Sequence, residues 1–118
     1  MGSLFREERR QSVRYEVTLS VVASHGLMGN ALTTTSHDIS SKGAGLVVDK
    51  QLVPGETIDI TFIMPDDGER IQTRGTVVWV SSLGLNRYRA GVAFADSDLR
   101  PIPMVMRSIK VRTSRYYG

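Results

Sequence analysis

Three arginines near the start of the chain, Arg9, Arg10 and Arg14, are the first residues whose type and spacing suggest a binding function. A guanidinium group binds phosphate through a planar, bidentate fork, and its flat face stacks on purines. The same arrangement also occurs in solvated charged segments and in arms that bind nucleic acid without specificity. The arginines alone therefore indicate an anion-binding arm of undefined target.

A second polar cluster, Asp38-Ile39-Ser40-Ser41-Lys42-Gly43, leads directly into an apolar run. An acid, a hydroxyl and a glycine at its first, third and sixth positions predict a tight turn that feeds a buried strand. Asp and Ser cap backbone groups in such turns, and Gly tolerates positive φ. Taken alone, this turn is more often a simple connection than part of a ligand site.

Together the two clusters resemble the PilZ family of cyclic di-GMP receptors. The resemblance rests on Arg10 and Arg14 four positions apart, and on the Asp-x-Ser-x-x-Gly turn that begins 24 residues after Arg14. The segments Gly75–Trp79 and Arg89–Phe94 are similar to later barrel strands of that family, so the resemblance covers roughly residues 9 to 112. It implies a six-stranded barrel that binds cyclic di-GMP.

The chemistry of this ligand matches the arginines. Cyclic di-GMP presents two phosphates and two guanine Hoogsteen edges with O6 and N7 acceptors, and arginine binds both kinds of group bidentately. By the resemblance, Arg10 and Arg14 would wrap the ligand from the arm. Arg9 is surplus for one ligand molecule, and the resemblance implies that an arginine in this place favours a stacked ligand dimer.

The guanine Watson–Crick edge requires acceptors, which the turn supplies. An ionised carboxylate is acceptor-only, so Asp38 suits the N1 and N2 donors of guanine. Ser40 and Gly43 add a hydroxyl and backbone N–H groups. Trp79, the only tryptophan, is either a core residue or an exposed ring that stacks on guanine. The parity of residues 77–80 does not decide between these two positions.

The remaining arginines of the strands and the two histidines are not expected to bind the ligand. Arg74 and Arg89 are expected to be surface strand residues, and His25 and His37 solvent-exposed loop residues. The chain has no cysteine, which excludes disulfides and thiolate ligands, and the two histidines form no pattern of metal ligands. No metal or cofactor is predicted. Because no nucleophile–base spacing is present either, no enzymatic activity is expected.

The net charge of +3 is unevenly distributed. Residues 1–14 carry four arginines and two glutamates, residues 15–98 carry six basic and ten acidic groups, and residues 99–118 carry five basic groups and no acid. A DNA-binding protein more usually spreads positive charge over one folded face. Basic ends around an acidic middle fit a small, highly charged ligand at least as well.

Period-two alternation dominates the middle of the chain and predicts strands joined by turns. Strands are expected over residues 13–21, 31–36, 43–48, 58–64, 69–83 and 88–94, with a bulge or bend at Gly75. Six short strands favour a mainly β fold, an antiparallel Greek-key-like β-barrel. A short C-terminal α-helix follows, with Ile102, Val105, Met106 and Ile109 at helical spacing.

The sequence predicts a flexible basic N-terminal arm (residues 1–12), a PilZ-like barrel with its helix (13–112) and a tail (113–118). No run is long enough to cross a membrane and no signal peptide is evident, so a cytoplasmic location is expected. The predicted function is a monomeric second-messenger receptor that changes conformation on binding cyclic di-GMP and signals to a protein partner. The alternatives are a small basic barrel that binds single-stranded nucleic acid and a PilZ-like interaction domain without nucleotide binding.

Overall fold

The computed structural model describes residues 13–25, 31–95 and 100–108, and in these ranges it contains seven strands and one helix. The predicted arm with Arg9 and Arg10, and the predicted tail, lie outside the described residues. The strands are β1 (Tyr15–Glu16), β2 (Ser20–Ser24), β3 (Leu32–Ile39), β4 (Gly43–Val48), β5 (Thr57–Ile63), β6 (Arg70–Gly84) and β7 (Arg87–Phe94). The helix, α1, covers residues 101–108.

Six of the strands close into an antiparallel barrel. The neighbours follow the order β3, β2, β5, β6, β7 and β4, and β4 pairs in turn with β3. The short β1 lies outside the barrel, paired with the end of β3. The predicted mainly β fold, a six-stranded antiparallel barrel with a short C-terminal helix, is thus confirmed.

Alternate residues of each strand point into the barrel and form one apolar core. The rings of Phe62 and Phe94 meet edge to face, with centroids 6.3 Å apart. Phe62 is completely buried, and truncating a buried Phe to Ala typically costs about 3–5 kcal/mol. The other fully enclosed side chains of the barrel include Leu19, Val21, Ile39, Leu46, Ile58, Ile60, Met64 and Val77.

The single strand predicted over residues 13–21 is wrong, because two strands occupy this segment with a gap at residues 17–19. A buried hydroxyl interrupts the ladder at this gap. Oγ of Ser36 accepts a hydrogen bond from the Leu19 N–H at 2.9 Å and donates one to the Val17 carbonyl at 2.6 Å. Since the side chain satisfies both backbone groups, regular pairing is not needed at this point.

The predicted bulge at Gly75 is also misplaced, since this residue pairs regularly with Ile58 and Phe94. Register shifts lie further along β6, between Val77 and Trp79 and between Ser82 and Gly84. A Cβ on Gly75 would lie 2.5 Å from Cγ1 of Val92 and 2.8 Å from the Ala93 carbonyl oxygen. Glycine is therefore required here because the neighbouring strand approaches closely.

Helix α1 packs on the barrel through a face different from the predicted one. Pro101, Met104 and Ser108 are buried, whereas Ile102 and Met106 are 54% and 64% exposed. The predicted apolar stripe is therefore wrong for these two residues, whereas Val105 packs partly buried against the core. Ile109 lies outside the described residues.

Arg107 ties α1 to the turn between β5 and β6. Its guanidinium donates to Asp66 at 2.6 and 2.7 Å, and to Asp67 and Glu69 at 2.8 Å. This pairing lowers the pKa of Asp66 from 3.8 to about 2, chiefly through the hydrogen bond, and raises that of Arg107. Protonation of Asp66 would remove one of the three carboxylate charges that hold Arg107.

Candidate functional site

Four residues form a row across the outer surface of the barrel, one on each of β3, β4, β7 and β6. Asp38 pairs with Gly45, Gly45 with Gly91, and Gly91 with Trp79. Directly paired residues point to the same face of a sheet. The residues next to Gly45 and Gly91, Ala44 and Val92, are buried in the core, so the row faces outward.

Two bulges place the ends of this row on the outer face. Between Ser36 and Asp38 the β3–β4 register contains one extra residue, His37, and between Val77 and Trp79 the β6–β7 register contains another, Val78. A one-residue slip moves the following side chains to the opposite face. Asp38 and Trp79 therefore point outward, although they share sequence parity with residues of the barrel interior.

The two glycines form a floor between the carboxylate and the indole. A Cβ on Gly45 would lie 2.9 Å from Oδ1 of Asp38, and a Cβ on Gly91 would collide with the Trp79 indole, 2.9 Å from its Cδ1 atom. The five-membered ring of the indole thus packs directly over Gly91, and Trp79 is 40% exposed. Its free face is a flat surface of the kind on which nucleobases stack.

Asp38 is the polar centre of the site and is only 8% exposed. Its Oδ1 atom accepts hydrogen bonds from Nη1 of Arg14 at 2.7 Å and from the Gly45 N–H at 2.9 Å. Its Oδ2 atom lies 3.5 Å from Nη2 of Arg89 and 3.4 Å from Nδ1 of His37. A nearly buried carboxylate therefore faces two guanidinium groups and an imidazole.

Strand β1 delivers Arg14 to this carboxylate. Glu16 pairs with Asp38 in the ladder, so Arg14, two residues earlier, is on the same outward face. The Arg14 side chain is 53% exposed. The ion pair is therefore buried on the Asp38 side and open to solvent on the Arg14 side.

The turn after Asp38 is held by its own serine. Oγ of Ser40 accepts from the N–H groups of Lys42 and Gly43 at 3.2 and 3.1 Å, and it donates to the Gly43 carbonyl at 3.2 Å. A Cβ on Gly43 would collide with the Val92 carbonyl oxygen. Both residues are buried, so in this structure they shape the turn. Their direct contact with a ligand stays a prediction.

Of the residues singled out in the sequence, Arg14 and Asp38 are in contact, and Trp79 lies on the same outer face, not in the core. Arg74 is an exposed strand residue, as expected, and donates to Asp59 at 2.9 Å. His25 follows the end of β2, and its Nδ1 atom lies 2.7 Å from Oε2 of Glu56.

His37 and Arg89 belong to the site although the sequence did not indicate this. His37 lies in β3, not in a loop as expected, and Arg89 occupies a strand as expected but with unforeseen contacts. Strand alternation does put Arg89 on the same face as Gly91. Only the cross-strand register shows that this face contains Asp38.

The described residues contain no group of three His, Cys, Asp or Glu side chains suited to a metal ion. Within those same ranges, no helix has the length and apolar character needed to cross a membrane.

Comparisons with known proteins identify a family and solved structures with the same fold. The family model described as PilZ domain matches residues 8–108. No curated protein matches the sequence at a significant level. Three solved structures have the same fold at low sequence identity. The inhibitor of motility MotI/DgrA of Bacillus subtilis is 16% identical with a TM-score of 0.61, over 93% of this chain and 53% of that chain.

The PilZ domain of CeSA from a cellulose-synthesising bacterium is 17% identical with a TM-score of 0.56, over 85% of this chain and 94% of that one. YcgR of Escherichia coli, solved in complex with cyclic di-GMP, is 16% identical with a TM-score of 0.59, over 92% of this chain and 47% of that one. This chain thus spans about half the length of MotI/DgrA and of YcgR. With 101 consecutive positions matched by the family model, residues 8–108, the chain belongs to the PilZ domain family.

Proposed function

We propose that this chain is a cyclic di-GMP receptor that binds its ligand on the outer face of the barrel, over the row from Asp38 to Trp79. The observation that carries the proposal is the outward pairing of Asp38 with Arg14, beside a glycine floor that ends in an exposed indole. One carboxylate, one accessible guanidinium and one flat aromatic face are the three groups that a guanine nucleotide needs. Membership of the PilZ family supports this choice of ligand.

Each part of the ligand has a complementary group. Arg10 and Arg14 would bind the phosphates bidentately, with Arg9 available for a second, stacked ligand. Asp38 would accept the guanine N1 and N2 hydrogens, and Trp79 would stack on a base.

Ligand binding exchanges one partner of Arg14 for another. The free protein loses a part-buried ion pair with Asp38, whose Oδ1 atom keeps the hydrogen bond from the Gly45 N–H. A charge-assisted hydrogen bond to a ligand contributes about 1.5–3 kcal/mol. The new hydrogen bond offsets the loss of the ion pair, and the exchange releases an acceptor site on Oδ1 of Asp38 for guanine.

The output of this receptor is proposed to be a change in the arm. Residues 1–12 are too polar to bury a core of their own, so ligand contacts to Arg9 and Arg10 would order them against the barrel. The ordered arm offers a new surface to a protein partner. In this proposal the chain is a monomeric, cytoplasmic adaptor without catalytic activity.

Calorimetric titration with cyclic di-GMP tests the proposal. Saturable binding is expected, with GMP and single-stranded DNA binding much more weakly. GMP has one phosphate group and one base, so it lacks the second half of the contacts. No saturation at high micromolar cyclic di-GMP would contradict the proposal, and preferential binding of the DNA would favour the nucleic-acid alternative.

A further inference from the structure

Arg89 bridges two groups of the site from a strand that the ligand motifs do not include. It lies two residues before Gly91 on β7 and shares its outward face. Its Nη2 atom is 3.0 Å from Nδ1 of His37 and 3.5 Å from Oδ2 of Asp38. Guanidinium nitrogens only donate, so Nδ1 of His37 is the acceptor. The 3.4 Å approach of Nδ1 to Oδ2 is then not a hydrogen bond, because both atoms are acceptors.

We propose that Arg89, supported by His37, is a positioning residue that keeps the Asp38 carboxylate in its guanine-accepting orientation after Arg14 has turned to the ligand. It thereby sets selectivity for the 2-amino group of guanine. This inference rests on the proposed function.

The division of contacts between the two oxygens of Asp38 is the main support. Arg14 and the Gly45 N–H bind Oδ1, whereas Arg89 lies on the Oδ2 side. When Arg14 leaves, the Gly45 N–H still binds Oδ1 and the Arg89 charge still attracts Oδ2. The plane of the carboxylate stays fixed, and each oxygen keeps a free lone pair for one of the two guanine donors.

A second feature separates Arg89 from an ordinary surface arginine. Its Nε atom is buried and finds no hydrogen-bond partner among residues 13–25, 31–95 and 100–108. A buried donor without a partner costs folding free energy, so barrel stability alone does not account for this placement. Arg74 provides the contrast, because its Nε donates to Asp59 on an exposed part of β6.

The test measures the affinity of the full chain for two ligands, cyclic di-GMP and its inosine analogue cyclic di-IMP, which lacks both 2-amino groups. Wild type should prefer cyclic di-GMP by about tenfold or more, the value of a hydrogen bond to a charged acceptor. Arg89→Gln should reduce this preference to below about threefold, mainly by weakening cyclic di-GMP. The matched control Arg74→Gln should keep the wild-type ratio.

A merely structural role for Arg89 would lower both affinities together. An unchanged ratio in Arg89→Gln would therefore overturn the inference while leaving the proposed function intact. Wild type that fails to bind cyclic di-GMP would overturn both. Should Arg89→Gln prove unstable, His37→Phe removes the Nδ1 acceptor and keeps a ring of similar size. A reduced ratio in that variant supports the inference, and an unchanged ratio refutes it.

Discussion

Substituting Gly91 by Ala should disturb the site without changing any charge. The new methyl group would occupy space that the Trp79 indole fills, because a Cβ on Gly91 lies 2.9 Å from Cδ1 and closer still to two other ring atoms. Either β7 moves or the indole leaves its floor. Overpacking a fixed ring costs about 1–3 kcal/mol, whereas Trp79 is already 40% exposed and can turn toward solvent. The second response is therefore expected.

The magnitude of the effect on binding follows from this response. A turned indole no longer stacks on a base held over the floor, and such stacking contributes about 1–3 kcal/mol. Affinity for cyclic di-GMP should thus fall by about 5- to 150-fold. Thermal stability should change little, because replacing a strand glycine by alanine recovers about 0.5–1 kcal/mol of backbone entropy.

Intrinsic fluorescence provides the assay, since Trp79 is the only tryptophan. In the free Gly91→Ala protein, its emission should shift to longer wavelength and become more accessible to a soluble quencher. Ala95→Ser, at an exposed position beyond the end of β7, is the control and should match wild type. Unchanged emission together with unchanged affinity would refute the indole packed over Gly91 as the stacking surface.

Four further results are expected. Arg14→Ala should weaken cyclic di-GMP binding by about tenfold or more. Its melting temperature should be nearly unchanged, because the Gly45 N–H and Arg89 still contact Asp38; equal affinity in calorimetry would argue against Arg14 as a ligand contact. Wild type should bind two ligands per chain and Arg9→Leu should shift this ratio toward one, whereas a wild-type ratio near one would exclude the stacked dimer. Amide exchange of residues 6–12 should slow when ligand binds, and an arm already protected in the free protein would contradict its ordering. Because the folded-state pKa of Asp66 is lowered from 3.8 to about 2, the part of the Arg107 stabilisation that comes from Asp66 is present above pH 3.8 and is lost as the pH falls through 2. The difference in melting temperature between wild type and Arg107→Gln should shrink over that interval, and a constant difference would contradict a contribution from the Arg107–Asp66 ion pair.

Local patterns in the sequence were sufficient to predict most strands of the barrel. The strand predicted over residues 43–48 matches β4, and the segment predicted over 69–83 matches β6 to within one residue at either end. In these strands, the alternation of apolar and polar residues in the sequence reflects the alternation of buried and exposed positions in the barrel. The split between β1 and β2 was not predictable in this way, because it depends on the hydroxyl of Ser36, a residue 17 positions beyond Leu19.

Residues of the site were predictable from the sequence only where they lie together in one short segment. Asp38, Ser40 and Gly43 lie in one turn, and their polar sequence marks it. The contact between Arg89 and His37 joins residues 52 positions apart, and no local pattern contains it. It follows from the pairing of β4 with both β3 and β7, which is a property of the closed barrel.

The outward orientation of Asp38 and Trp79, at the two ends of the row, depends on two register shifts in the barrel. Without the extra residue His37, the alternation that buries Ser36 would also point Asp38 into the core, where an unpaired carboxylate is very costly. Without Val78, the same alternation from Val77 would bury the indole. Each bulge therefore turns a residue of inward parity toward solvent. Because Gly45 and Gly91 stand between the two bulged strands, both side chains reach over one flat floor. Regular strands are sufficient to build this barrel, but only the two register shifts bring a carboxylate and an indole to the same outer face.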